Sequence, residues 1–401
     1  MTRTSGAAAL PDVKRALLED LGRLRAPEGY LFAGSPRYHT LFGRDSLISA
    51  WQTLEVDPSI ARATLRILSR FQGRRVHPPA EEEPGKILHE HRFDAASRME
   101  LPHWEFPYYG SVDSTPLFLV VAEAYARRTG DSSLVSELWD AFVNAHRWIV
   151  SCGDRAADGY AEYERQNPHG LFHQGWKDGS EDHLSIRPPV ALVEVQGYVY
   201  AAHMAFASLA GQQGRPDLAE DARRRAASLR VAVNRDFWLP EVNFYALAID
   251  GEKRPRRAAT SNPGHLLVMG ILPPERARLV ATRLFADDLW TPYGIRTHAT
   301  SEPDFDPYGY HLGSVWPHDN WMIYRGLLAH GFAQGAARVQ GALLRAYDEL
   351  GKIPELYAVE GDDLVDLSAG PVHGTRANPL QAWAAGALLD IVGREPASIS
   401  P

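Results

Sequence analysis

Apolar residues recur at helical spacing in one segment after another, and the connections between these segments alternate between short and long. The spacing predicts helices over 45–55 and 58–72, joined at Asp57-Pro58, where a proline suits the first turn of the second helix. It predicts another pair over 113–129 and 132–151, parted at Thr129-Gly130-Asp131, with the glycine ending one helix and Asp131 able to cap the next. The pattern continues with 191–213 and 216–236, then 262–271 and 274–287, then 314–332 and 334–351. Long connections run over 73–112, 152–190, 237–261, 288–313 and 352–377. A last helix at 378–392 has no partner after it and an N-terminal helix at 10–25 has none before it, so pairing those two closes a ring of six hairpins.

The two helices of a pair differ in kind. Segment 191–213 carries a single charge, Glu194, whereas 216–236 is studded with charge on one face. A helix apolar all round is buried, and one with a charged stripe faces water. The first helix of each pair is therefore expected inside and the second outside. That order, repeated around a closed ring, is an all-α (α/α)6 toroid, expected as a single domain over 1–401. An open solenoid also stacks helix pairs, but its repeats would share a fixed period and a consensus, and these do not. Beta structure is expected to be minor, with a short hairpin near 243–256 around an Asp-Gly turn. In a toroid every long connection leads into the N-terminus of an inner helix, so the connections gather on one face, where function tends to sit.

Composition narrows the chemistry. A formal charge of −8 argues against a nucleic-acid partner, which needs clustered Lys and Arg. Cys152 is the only cysteine, which excludes an intrachain disulfide and a cysteine-based zinc site. The N-terminal stretch has no apolar core of signal-peptide length and no later run approaches a membrane span, so a cytoplasmic protein is the expectation, its oligomeric state open. The 10 Trp and 16 Tyr are a generous supply of faces for stacking on sugar rings.

Residues with chemical purpose crowd into the long connections and the helix starts. Arg44 and Asp45 open the first inner helix. His89, Glu90, Tyr108, Tyr109 and Asp113 lead into the second, and Gln174, Trp176, Lys177 and Asp178 precede the third. Trp316, His318 and Asp319 open the fifth, Glu355 precedes the last, and Gln381 and Trp383 begin it. His89-Glu90-His91 lacks further spaced ligands, so no metal or other cofactor is expected. A cavity lined by carboxylates and aromatics fits glycoside hydrolysis, in which one carboxylic acid protonates the departing oxygen and a second carboxylate activates water or attacks the anomeric carbon. Composition does not choose the pair: Asp45, Glu90, Asp113, Asp178, Asp319 and Glu355 are all candidates. Local roles compete as well, with Arg44–Asp45 as a helix-capping ion pair, Asp113 as an N-cap and His318–Asp319 as an internally satisfied pair.

The strings FGRDSLIS, GKILHEHR, YYGSVDSTPLFL, QGWKDGSEDH, VEVQGYVYAA, GSVWPHDN, PELY and PLQAWAAGAL, in that order, resemble the catalytic domain of the bacterial glycogen-debranching (amylo-α-1,6-glucosidase) family. That family resembles a wider group of (α/α)6 inverting α-glycosidases that includes glucoamylases, processing α-glucosidase I and the mannosylglycerate and glucosylglycerate hydrolases. The resemblance implies Asp178 of QGWKD as general acid and Glu355 of PELY as general base, with Asp45 of FGRDS holding sugar hydroxyls. It also implies a carbohydrate as the partner.

Two departures bear on the substrate. Family members usually carry a β-rich domain ahead of the toroid, and the stretch MELPHWEFP at 99–107 brings Trp104 and Phe106 near the cavity. The expectation is therefore a small α-glucoside or oligosaccharide, with α-1,6-debranching of limit dextrins as the alternative. A sugar epimerase using His89, His91, His311 or His318 as acid and base is the rival from another class.

Overall fold

Six helices with almost every side chain buried alternate along the chain with six that bury a single stripe. The structure, a computed structural model, describes residues 9–394. Residues 1–8 and 395–401, which the single-domain reading of 1–401 includes and where the leader reading begins, lie outside it. The outer helices are α1 (Leu10–Arg23), α3 (Pro58–Arg70), α5 (Trp139–Ser151), α7 (Pro216–Asp236), α9 (Pro274–Leu284) and α11 (Ala333–Leu350). The inner helices are α2 (Gly43–Gln52), α4 (Ser114–Thr129), α6 (Val193–Gln212), α8 (His265–Met269), α10 (Pro317–Ala329) and α12 (Ala382–Gly393). Each inner helix packs on the next, α12 returns to α2, and α1 packs on α12, so the ring closes as an (α/α)6 toroid through the predicted N-to-C pairing. Among the described residues no helix is long and apolar enough to cross a membrane.

Local chemistry sets most of the boundaries. Asp57 caps α3 by accepting the Ser59 N–H at 3.0 Å, and Gly130 ends α4 at φ 70°. Asp131 caps as expected, but the helix it starts is a short one, Ser132–Glu137. The predicted 132–151 helix breaks at Leu138, and the next helix begins with Trp139, which stacks on Phe206 of α6. The predicted 262–271 helix is also shorter, a 3-10 turn over Asn262–Gly264 followed by α8, which Gly270 closes at φ 73°. The hairpin near 243–256 forms between Ala248–Ile249 and Pro255–Arg256.

Short antiparallel ladders tie the connections together at the mouth of the ring. Leu41–Phe42 pairs with Glu90–His91, Gly34–Ser35 with Leu380–Gln381, and Ala191–Leu192 with Ala248–Ile249. Single bridges join Glu90 to Tyr108 and Val315 to both Arg296 and Tyr357. These pairings give irregular connections a hydrogen-bonded frame, which buried backbone requires. Gly43 allows the closest approach, because a Cβ there would overlap the Leu88 carbonyl oxygen. That approach sets Arg44 and Asp45 directly behind the connection that carries His89 and Glu90.

Candidate active site

Five of the six segments that lead into the inner helices line one cavity of about 410 Å³ at the mouth of the ring. Phe42, Arg44 and Asp45 come from the start of α2, and His89, Glu90, Arg92 and Trp104 from the connection into α4. Trp176 and Asp178 precede α6, Tyr310, His311 and Trp316 precede α10, and Glu355, Gln381 and Trp383 lie at the approach to α12. The connection into α8 supplies no lining residue. Tyr38, Glu90, Arg92 and Leu101 also line an adjoining hollow of about 400 Å³, together with Arg37, His39, Asp94 and Glu100.

Arg44 organises one wall. Its guanidinium donates from Nη1 to Asp113 Oδ2 at 2.8 Å and from Nη2 to Asp178 Oδ2, bracketed by the two carboxylates. It forms no pair with its neighbour Asp45, so the capping ion pair is not what these residues make. Asp45 instead receives the Gln381 side-chain N–H at 3.2 Å. On the opposite wall both oxygens of Glu355 are engaged: Tyr310 Oη donates to Oε1 at 2.5 Å and the Asn378 backbone N–H to Oε2 at 2.8 Å. Asp178 Oδ1 accepts no hydrogen bond among the described residues, and no hydrogen bond joins Asp178 to Glu355.

Burial dominates the electrostatics. It raises the Asp178 carboxyl to about 6 against the pull of Arg44, although that side chain is 27% exposed. Burial likewise raises Asp45, Glu90 and Glu355 to about 7, opposed in Glu355 by the Tyr310 and Asn378 donors. Glu90 gains less relief than its Arg92 partner could give, because Arg92 also serves Glu100 and the Ser97 carbonyl. Burial drives His89, His311 and His318 well below the usual histidine range, so these rings are neutral near pH 7.

Of the seventeen residues expected from the sequence to catalyse or bind the sugar, ten line the cavity: Arg44, Asp45, His89, Glu90, Trp176, Asp178, Trp316, Glu355, Gln381 and Trp383. Seven do not, and each is held elsewhere by a specific partner. Tyr108 stacks under Trp104 at 3.8 Å and Tyr109 donates to the Phe71 carbonyl. Asp113 sits at the N-cap position of α4 but its side chain makes no capping hydrogen bond and does not line the cavity, since its carboxylate is taken by Arg44 and Ser111. Gln174 donates to Glu81, and Lys177 to the Thr297 carbonyl. Asp319 accepts from His265 Nε2 at 2.7 Å, not from its neighbour His318, which stacks on Trp383 at 3.8 Å. These seven build the layer behind the lining.

Sequence reasoning passed over Tyr38, Arg92 and Tyr310. Tyr310 had a readable signal, six positions before Trp316 in an aromatic-rich connection, whereas Tyr38 reaches the cavity from a backbone at φ 62° that sequence does not display. His298, Glu302 and Asp304 bring possible ligand atoms within 4.8 Å of one another, but Arg256 already holds Asp304 at 3.0 Å.

A family model described as the mannosylglycerate hydrolase MGH1-like glycoside hydrolase domain matches residues 38–360. A mannosylglycerate hydrolase of Rubrobacter radiotolerans is 28% identical over 295 residues, which is 71% of this chain. The chain spans 61% of that relative's length. Among solved structures, the GH63 mannosylglycerate hydrolase from Thermus thermophilus in complex with Tris and D-glycerate is similar with a TM-score of 0.71 at 18% identity, covering 95% of this chain and 99% of that one. Its complex with glucose is similar with a TM-score of 0.69 at 18% identity and the same coverage. At such identity the likeness is one of fold. The match corrects the expected branch: the debranching resemblance holds for the wider (α/α)6 group, and within it the chain belongs to the mannosylglycerate hydrolase MGH1-like glycoside hydrolase domain family.

Proposed function

We propose that the described chain acts as one catalytic unit, an inverting hydrolase of small α-glycosides whose first candidate substrate is an α-mannoside of glycerate. Asp178 protonates the glycosidic oxygen as its bond to the anomeric carbon breaks. Glu355 takes a proton from the water that adds to the opposite face of the sugar. The acid's proton passes to the glycerate hydroxyl and the sugar leaves as the β-anomer.

The observation that carries the assignment is the unequal engagement of the two carboxyls. The electrostatic order alone favours the reverse roles, because Glu355 at about 7 holds a proton more firmly than Asp178 at about 6. The hydrogen bonding supports the opposite order. Glu355 Oε2 faces an N–H and cannot carry a proton there, and donors at both oxygens favour the ionised form. Asp178 keeps Oδ1 free to carry a proton and present it to the cavity. The working form is the one with the proton on Asp178 and Glu355 ionised.

The lining suits a hexose, with Trp176, Trp316 and Trp383 as apolar walls and Asp45 and Gln381 as hydroxyl partners. A donor for the aglycone is available from Arg92 at the rim of the adjoining hollow. Its Nε and Nη1 are engaged, and Nη2 has no protein partner among the described residues. The glycerate relatives moved the preference from α-glucoside to α-mannoside. The neutral histidines leave an epimerase without its acid. Incubation with mannosylglycerate, glucosylglycerate, isomaltose and panose, followed by NMR of the first-formed anomer, tests the reading. Initial α-anomer would refute inversion, and turnover confined to isomaltose and panose would restore debranching.

A further inference from the structure

The ring closes where the approach to α2 meets the approach to α12, with Gly34–Ser35 paired to Leu380–Gln381, and Asn378 sits on that seam. It is fully buried and every polar atom it has is engaged. Its backbone N–H donates to Glu355 Oε2 at 2.8 Å, and its carbonyl accepts the Glu355 N–H at 3.0 Å. Its side-chain Oδ1 accepts the Arg37 N–H at 3.2 Å, while Nδ2 donates to the Arg37 carbonyl at 2.8 Å and to Gln381 Oε1 at 3.0 Å. Gln381 Nε2 in turn donates to Asp45 Oδ1 at 3.2 Å.

A side-chain amide has two ends of the same shape, one accepting and one donating, so its neighbours decide which way it points. The main chain at Arg37 offers Asn378 both a donor and an acceptor, and only one orientation of the amide satisfies the two. That orientation places Nδ2 against Gln381, which must answer with Oε1 and so turns Nε2 to Asp45. Reversed, Gln381 would set a carbonyl oxygen against the carboxylate. Gly34 leaves the room for both amides, since a Cβ there would overlap Gln381 Oε1 and Asn378 Nδ2. Gln381 and Asp45 line the cavity and Asn378 does not.

We propose that Asn378 is a positioning residue that fixes the direction of the Gln381 amide, so that Asp45 keeps a donor on Oδ1 and offers Oδ2 to a sugar hydroxyl. Asp45 Oδ2 accepts no hydrogen bond among the described residues. A carboxylate oxygen accepts from a hydroxyl when the group is ionised, and a donor on its other oxygen favours that form. The main chain of the same residue holds the Glu355 carboxylate. One buried side chain therefore acts on the group that grips the sugar, and its backbone acts on the group that activates water.

This inference rests on Asp45 as a partner of the sugar. The test measures kcat/KM on whichever of mannosylglycerate, glucosylglycerate, isomaltose and panose the wild type hydrolyses, so an error in the aglycone changes the substrate and not the comparison. Asn378→Ser shortens the side chain beyond reach of Gln381, and Asn378→Leu keeps its volume without its polarity, so failure of one to fold leaves the other. Each is expected to lose about ten- to a hundredfold, the effect of one hydrogen bond to a charged group. In a Gln381→Met background the same changes are expected to cost less than about threefold more, because the route to Asp45 is already cut. Losses of equal size in both backgrounds would mean that Asn378 only supports the fold or the base, and would overturn the orienting role, as would no loss in either. Turnover confined to isomaltose and panose with the coupling intact would overturn the mannoside reading and leave Asn378 in its role. Turnover of none of the four would overturn both.

Discussion

Replacing Asp113 by Asn removes a charge from behind the acid while keeping the shape that Arg44 and Ser111 grip. Asp113 and Asp178 bracket one guanidinium, so their charges lie on the order of 6 Å apart. At an effective dielectric of about 20 their repulsion is about 3 kcal/mol, equivalent to about 2 pH units in the acid's titration. Asp113 is among the groups that hold Asp178 up at about 6. With its charge gone, the whole of Arg44's field acts on Asp178, in the same downward direction. Only the protonated acid works, so kcat/KM of the variant relative to wild type should fall about twofold near pH 4, about tenfold near pH 5 and about a hundredfold at pH 7 and above. The ratio is independent of the base, whose titration is common to both proteins. The assay is a pH profile of kcat/KM on mannosylglycerate, with thermal unfolding recorded at each pH to define the folded range. A loss of the same size at every pH would mean that Asp113 only holds Arg44 in place, and the charge argument would fail.

The other expectations use the same cavity. Glu355→Gln should abolish turnover yet stabilise the protein above neutrality: with the folded carboxyl at about 7 and the unfolded one near 4.5, wild-type stability is full below the lower value and lost as pH rises through the higher. The gain, about 3 kcal/mol or about 4 °C in Tm above about pH 8, should vanish near pH 4, and calorimetry at those pH values checks it. Tyr310→Phe removes a donor from Glu355 Oε1 and should move the acid limb of kcat/KM upward, costing about ten- to a hundredfold near pH 6 and little near pH 9. A uniform loss would contradict that. Trp104→Ala takes away a face that lines the cavity over Tyr108, and should raise KM about tenfold with kcat nearly unchanged in steady-state assays.

The amino-acid pattern determined the ring and its polarity. Helical spacing is a local property, repeated every 3.6 residues, and the contrast between α6 with its lone Glu194 and charge-striped α7 is visible in composition alone. The alternation of connection lengths followed, and with it the end of the ring where Asp45, Asp178 and Glu355 gather. The motif strings found the superfamily, while the branch within it came only from comparison along the chain. Tertiary structure decided which polar groups face the cavity. Arg44 meets Asp113 and Asp178 across 69 and 134 positions, Asp319 turns to His265 instead of its neighbour, and Lys177 points away from the site between two residues that line it. Such choices depend on which connections pair across the mouth, as Phe42 does with Glu90 and Gly34 with Gln381. A buried charge takes whatever partner the closed ring brings within reach, and spacing along the chain carries no record of that.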